Sequence, residues 1–193
     1  MALVLASASP RRRELLKNAG IPFVVQSSQI PEIPREGEAP QACAERLARE
    51  KALDVSRQRP QDFVLGADTI VIVGGQILGK PRDVADAARM LRLLSGRTHQ
   101  VITGVCLIGP DRKGRSSLEE TRSETTLVTM SQLSDEDIQS YVATGEPLDK
   151  AGAYAIQGIA SCWISRIEGD YFNVVGLPVS LVYRMLQKNG PSD

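Results

Sequence analysis

The sequence predicts a single α/β domain over residues 1–193, built on a mixed sheet flanked by helices. Short apolar runs of strand length alternate along the chain with longer segments of helical period. The Gly74-Gly75 pair between two apolar runs marks an antiparallel hairpin, which argues against a strictly doubly wound parallel sheet. No long linker, repeat or low-complexity tract interrupts the 193 residues.

Ala2 to Ala6 is continuously apolar, as suits a strand buried on both faces. Pro10 to Ala19 reads as a helix, with Ser9 as N-cap, Pro10 at the first helical position and Gly20 at the C-cap. Pro22 to Ser27 follows as a second strand. Ile30 to Pro40, stiffened by Pro31, Pro34 and Pro40, is a loop. Gln41 to Arg57 is helical by its Ala, Leu, Glu and Arg content. There Glu45 with Arg49, and Arg46 with Glu50, stand at i,i+4 spacing for a solvated face. Val64 to Val73 is a strand running into the hairpin, and Val84 to Leu94 a helix stopped by Ser95-Gly96. Gln100 to Ile108 and Glu124 to Met130 are strands around a polar excursion at Asp111 to Arg115. Asp135 to Ala143 is a helix capped by Ser134, Ser161 to Ile167 a strand, and Leu177 to Gln187 the last helix. The tail from Gly190 to Asp193 is expected to fray.

Composition narrows the function. Lys and Arg number 23 against 23 Asp and Glu, so bulk electrostatics would not hold this chain to nucleic acid. At 42% hydrophobic and 24% charged residues it is neither a disordered chain nor a membrane bundle. No uncharged apolar stretch approaches the ~18 residues of a membrane span. The arginines at 11–13 follow the apolar start, the reverse of a signal peptide. A cytoplasmic protein is expected. Cys43, Cys106 and Cys162 are widely spaced and His99 is the sole histidine, which gives neither a disulfide framework nor a zinc set. A catalytic metal would then be hard and oxygen-bound, Mg²⁺ or Mn²⁺.

Several residues sit where simple folding rules would not put them. Arg11, Arg12 and Arg13 open a helix whose N-terminus carries partial positive charge. They are either solvated arginines that the helix tolerates or, with Ser hydroxyls and free N–H groups, a cradle for phosphate. Asp68, inside VLGADTIVIV, is costly to desolvate unless paired, hydrogen-bonded or metal-bound. Gly66 and Ala67 leave room beside it. Lys51 falls on the helical arc of Ala44, Leu47, Ala48 and Val55, so it either snorkels or meets an anion. Lys80 lies on a Gly-Lys-Pro turn, and Glu32 on the proline-stiffened loop could partner Asp68 around a hard cation. DKAGAYAIQG (149–158) is either an ordinary Gly-rich turn or a base-reading segment, in which small residues permit close approach and Gln157 offers both a donor and an acceptor. No P-loop or GxGxxG element is present.

LASASPRR at the start, Glu32, LAREKA around Lys51, GADT (66–69), LGKP (78–81), SGRTHQVITGV (95–105), DKAGAYAIQG and GDYFNVVGLP (169–178) together resemble the Maf family of nucleotide pyrophosphatases, in the family's order and over nearly the whole chain. The resemblance implies a Maf/inosine-triphosphatase-like α/β fold, two lobes around a cleft, and a homodimer. It implies hydrolysis of a nucleoside triphosphate to monophosphate and pyrophosphate, aided by a divalent metal. By motif, Asp68 takes the proton-acceptor position, with Glu32 assisting it in holding metal. Ser7, Arg12, Lys51 and Lys80 match the polar residues expected on the phosphates. Arg11, Thr69 and Gln157 match positions that set base preference in the branch acting on dTTP and UTP. Two departures are visible: Pro31 stands where the family often has an acid, and Ala155 replaces a glycine common in the sister branch. The other readings are a pyrophosphatase for modified or non-pyrimidine nucleotides, a non-enzymatic regulator of cell division, and a nucleic-acid-binding module.

Overall fold

The computed structural model describes residues 1–110 and 118–190. The polar excursion expected at 111–115 and the tail beyond Gly190 lie outside the described residues. Among the described residues seven strands form one mixed sheet in the order β2-β1-β3-β5-β6-β7, with β4 beside β3: β1 Leu3–Leu5, β2 Val24–Val25, β3 Phe63–Val73, β4 Gln76–Leu78, β5 Thr98–Ile108, β6 Glu119–Met130 and β7 Ile164–Glu168. The helices are α1 Pro10–Asn18, α2 Pro40–Ser56, α3 Val84–Leu94, α4 Asp135–Ala143, α5 Tyr171–Val175 and α6 Val179–Asn189. The chain, expected as one domain, divides into two compact units.

The first unit comprises Met1–Asp68, Thr103–Glu124 and Gly176–Asp193. β1 pairs in parallel with both β2 and β3, Val4 standing opposite Val24 and Val64. Leu3 to Ala6 are buried, as a central strand requires. α1 is capped by Ser9, whose side chain accepts from the Arg12 N–H. At its far end Ala19 is the cap, one residue before the expected Gly20, and the N–H groups of Gly20 and Ile21 return to the carbonyls of Lys17 and Leu16 in a Schellman ending. α2 buries Cys43, Ala44, Leu47, Ala48, Lys51, Ala52 and Val55 on one face, the arc expected from its spacing.

Two glycines explain how closely α2 lies on the sheet. A Cβ on Gly66 of β3 would collide with the carbonyl oxygen of Ala48, and one on Gly104 of β5 with that of Ala44. The space left beside Gly66 is therefore filled by helix backbone. On the outer face, Arg46 bonds Glu50 as expected, at 3.1 Å. Arg49 does not pair with Glu45. It forks onto Glu119 of β6, while Glu45 accepts from Ser123 and Gln41. A strand running alongside offered Arg49 a bidentate partner that helical spacing does not reveal.

The second unit comprises Thr69–Ile102 and Thr125–Val175. β3 turns through Gly74-Gly75 into β4, which pairs antiparallel with Ile72 opposite Ile77. β6 and β7 are antiparallel, with a register shift between Thr129 and Met130. The core joins Val71, Leu78, Leu91, Val101, Met130 and Tyr141. α3 and α4 have the limits the sequence predicts, and Ser134 closes a capping box with Asp137. Three differences stand out. β6 begins at Glu119, five residues before the expected start; its first residues are polar and only partly buried, so no apolar run marks them in the sequence. Residues 159–163 are 3-10 helix, so β7 starts at Ile164. The five-residue α5 was not expected; Asp170 Oδ1 caps it by accepting from the N–H groups of Phe172 and Asn173. All three cysteines are free; Cys43 and Cys106 are buried and Cys162 is exposed. Among the described residues no helix is long and apolar enough to cross a membrane.

Candidate active site

In the first unit the close packing of α2 on β3 determines which charges meet. Lys51 and Asp68 are 6% and 5% exposed, and Lys51 Nζ donates to Asp68 Oδ1 at 2.6 Å. The same ammonium donates to Glu32 Oε1, also at 2.6 Å. The inward lysine thus meets anions rather than snorkelling, and the carboxylate inside the apolar strand is paired. Two carboxylates from a loop and a strand converge on one cation.

The loop carrying Glu32 has little secondary structure of its own and is fastened to α2. Arg46 forks onto Glu38 at 2.6 and 2.7 Å and donates to the carbonyl of Ile33 at 3.1 Å. Asp54 accepts from the Ser28 hydroxyl at 2.8 Å and from the Gln29 N–H at 3.2 Å. The hydrogen bonds from Arg46 hold the Glu38 carboxyl down to about 2. Neither Arg46 nor Asp54 stands out in the sequence, where both read as solvated helix residues.

Arg12 turns back into the protein. It is 8% exposed, its Nε donates to the Gly176 carbonyl at 2.7 Å, and Nη1 donates to the Ala67 carbonyl at 2.9 Å and to Ser7 Oγ at 3.1 Å. Burial lowers its pKa from the ordinary arginine value, against the opposing pull of Asp68 and Glu32. One guanidinium therefore ties the start of α1 to the residue before Asp68 and to the turn at Gly176. Ser7, also buried, accepts from the Ser9 N–H at 3.2 Å. Arg11 is half-buried and Arg13 exposed. Of the sequence-predicted residues, the first unit brings together Ser7, Arg12, Glu32, Lys51 and Asp68. The Gly176 carbonyl is an addition whose only sequence signal is the motif GDYFNVVGLP.

Thr69, Lys80 and Gln157 belong to the second unit. Thr69 follows Asp68 in β3 and is half-buried, and Lys80 is exposed on the turn after β4. The Gly152 N–H donates to the Gly79 carbonyl at 3.0 Å, which ties the 149–158 segment to the turn bearing Lys80. Further along, the Gly158 N–H donates to the Ala155 carbonyl at 3.1 Å and closes a β-turn. Gln157, exposed, sits at the third position of that turn, beside buried Ile156. Upstream, Tyr154 OH lies 2.8 Å from Nε2 of His99, and burial lowers the His99 pKa to about 4.

Among the described residues no three His, Cys, Asp or Glu side chains gather as a metal site. Glu32 and Asp68 share the Lys51 ammonium. Two carboxylates, completed by water and substrate phosphate oxygens, are a donor set that Mg²⁺ accepts.

Known proteins resemble this chain over nearly its whole length. A protein named dTTP/UTP pyrophosphatase from Koribacter versatilis is 56% identical over 190 residues, covering 98% of this chain and 95% of its own. Proteins of the same name from Symbiobacterium thermophilum and Geobacter sulfurreducens are each 52% identical over 188 residues, covering 97% of this chain and 94% and 96% of theirs. The solved structure of the Staphylococcus aureus Ham1 protein matches at a TM-score of 0.38 and 16% identity over 66% of this chain and 71% of that one, a likeness too distant to bear on chemistry. The family described as Maf-like protein matches residues 2–189, and the chain belongs to it.

Proposed function

We propose that the chain hydrolyses nucleoside triphosphates, dTTP and UTP foremost, to the monophosphate and pyrophosphate. The reading is carried by one observation: Lys51 Nζ lies 2.6 Å from both Glu32 and Asp68, a dry acid held among cations. Family membership and the names of the 52–56% identical relatives support the substrate class.

In this mechanism Asp68 orients a water and takes its proton as the water oxygen bonds to the α-phosphorus. The bond from that phosphorus to the oxygen bridging to the β-phosphate breaks, and its electron pair leaves with pyrophosphate. Lys51 and Lys80 offset the charge that builds on the departing group, where fixed cations in a dry site act most strongly. Arg12 holds the Ala67 carbonyl and so the strand position of Asp68, beside any direct help it gives the phosphates. Ser7 and Arg11, at the start of α1, take phosphate and base. Thr69 and Gln157 pair with the polar edge of uracil or thymine. A divalent cation, Mg²⁺ or Mn²⁺, held by Glu32 and Asp68 would neutralise the triphosphate and make water a stronger nucleophile; as a ligand of that cation Asp68 would orient the water rather than act as its base. The cytoplasmic setting and the homodimer implied by the family resemblance belong to the same proposal; light scattering on the purified chain tests the latter.

Asp68→Asn is the direct test. It keeps the side-chain shape, and Lys51 keeps Glu32. Release of pyrophosphate from UTP should fall by at least ~10²-fold, the lower range for loss of a general base, with an unchanged circular dichroism spectrum. Turnover near the wild-type rate would remove Asp68 from the chemistry. A nucleotide panel scored for pyrophosphate against orthophosphate tests the substrate range, and no turnover at all would favour a binding protein.

A further inference from the structure

We propose that Tyr141 and Glu146 are positioning residues that set base discrimination by fixing the turn that presents Gln157. The inference rests on the reading of Gln157 as the residue that pairs with the base.

Tyr141, on α4, is 1% exposed, and its ring meets that of Trp163 edge-on at a centroid distance of 5.4 Å. Its hydroxyl is used in both directions. It donates to Glu146 Oε1 at 2.8 Å and accepts from the Ala155 N–H at 3.2 Å. Ala155 is the first residue of the Gln157 turn and Gly158 the last. The Glu146 carboxylate lies against the Cα of Gly158, in the space that a Cβ there would need. The Tyr–Glu pair therefore bonds the first residue of the turn and packs against the last, with Ile156 and Gln157 at its two central positions. Burial and the Glu146 carboxylate raise the Tyr141 pKa above its ordinary value, so the phenol keeps the proton it gives to Glu146.

The energetic consequence follows from what a Gln amide must do. Uracil and thymine show an acceptor at O4 beside a donor at N3, and cytosine shows the reverse at both atoms. A turn that can shift carries the amide to whichever edge is offered, whereas a fixed turn presents it at one place, and a base that does not match leaves polar groups unpaired once the nucleotide covers them. Discrimination therefore depends on the stiffness of the turn as much as on Gln157 itself. Neither Tyr141 nor Glu146 needs to touch the nucleotide.

The experiment measures kcat/KM for UTP and CTP with the full chain, as wild type, Gln157→Ala, Tyr141→Phe and the double variant. Tyr141→Phe keeps the ring in the core and deletes the hydroxyl. It should lower the UTP/CTP ratio by about tenfold, the scale of one lost hydrogen bond, through a raised KM for UTP rather than a lowered kcat. Added to Gln157→Ala it should lower the ratio no further. The inference is overturned if Gln157→Ala lowers the ratio and Tyr141→Phe does not, or if Tyr141→Phe slows both nucleotides equally, as general loosening would. A ratio unmoved by Gln157→Ala instead overturns the base-reading role on which the inference rests. If Tyr141→Phe does not fold, Glu146→Ala, which removes the partner from a half-buried position, is read by the same ratio and against the same outcomes.

Discussion

Lys51 Nζ stands 2.6 Å from Asp68 Oδ1 with both side chains 7% exposed, and the helix that delivers the lysine touches the strand that delivers the acid through a glycine. The pair is thus the outcome of a backbone approach, Gly66 against Ala48, as well as of charge. Desolvating two ions costs about as much as their attraction returns, so the pair is weak ground for stability; removing one partner is another matter.

Lys51→Met should strand Asp68 in an apolar strand. The expected loss is about 3–5 kcal/mol, the range for breaking a buried ion pair from one side. Asp68→Asn should cost less, because Lys51 retains Glu32, whose side chain is 41% exposed. Urea unfolding of both variants checks the order, and equal midpoints would show that the pair is not dry in solution.

Gly66→Ala should act at a distance from any reacting atom. Its methyl would press on the Ala48 carbonyl and crowd Ala52, so α2 must shift and carry Lys51 with it. Overpacking of this kind costs about 1–3 kcal/mol. Thermal unfolding should report the loss, and pyrophosphate release from UTP should fall along with it. Full activity in a destabilised variant would uncouple the helix seat from the site.

Arg12→Lys tests the three-way clamp on Gly176, Ala67 and Ser7. An ammonium cannot reproduce the planar fork. With two buried carbonyls losing charged donors, the variant should lose about 2–4 kcal/mol at ~1–2 per group. Denaturant midpoints measure this, and a variant as stable as wild type would return Arg12 to a role on substrate alone.

His99 links stability to acid. It is 2% exposed, and burial holds its pKa at about 4 against an ordinary value of 6.5. Above pH 6.5 both folded and unfolded chains carry it neutral. As pH falls from 6.5 towards 4 the unfolded chain takes up the proton first, so stability drops, by about 3 kcal/mol in all at 1.36 per pH unit. Below 4 this loss is complete. His99→Gln should be flatter than wild type across that window when urea midpoints are compared; parallel curves would place the histidine in contact with water.

Much of this was legible in the sequence because local rules and tertiary needs agree there. Ser9, Ser134 and the periodicity of Val84 to Leu94 fix their helices from within, and Lys51 betrays its inward direction by the apolar residues sharing its arc. The Asp68 anomaly was readable because desolvation makes an unpaired acid in such a strand untenable. What escaped depends on partners distant in sequence. Arg49 looked paired with Glu45 until β6 placed Glu119 alongside, and Gly66 looked like room for a ligand although α2 occupies it. The hydroxyl of Tyr141 gave no signal, since a buried tyrosine in an amphipathic helix reads as core until its polar end is located.

The cysteine pattern has a practical corollary. Burial raises Cys43 and Cys106 to about 11, which leaves them as unreactive thiols in the folded chain, while Cys162 faces solvent. A disulfide reagent should therefore colour one equivalent of native protein and three of denatured protein. A fluorophore placed on that exposed thiol would sit five residues along the chain from Gln157 and report, without further engineering, on what the neighbouring turn does when nucleotide arrives.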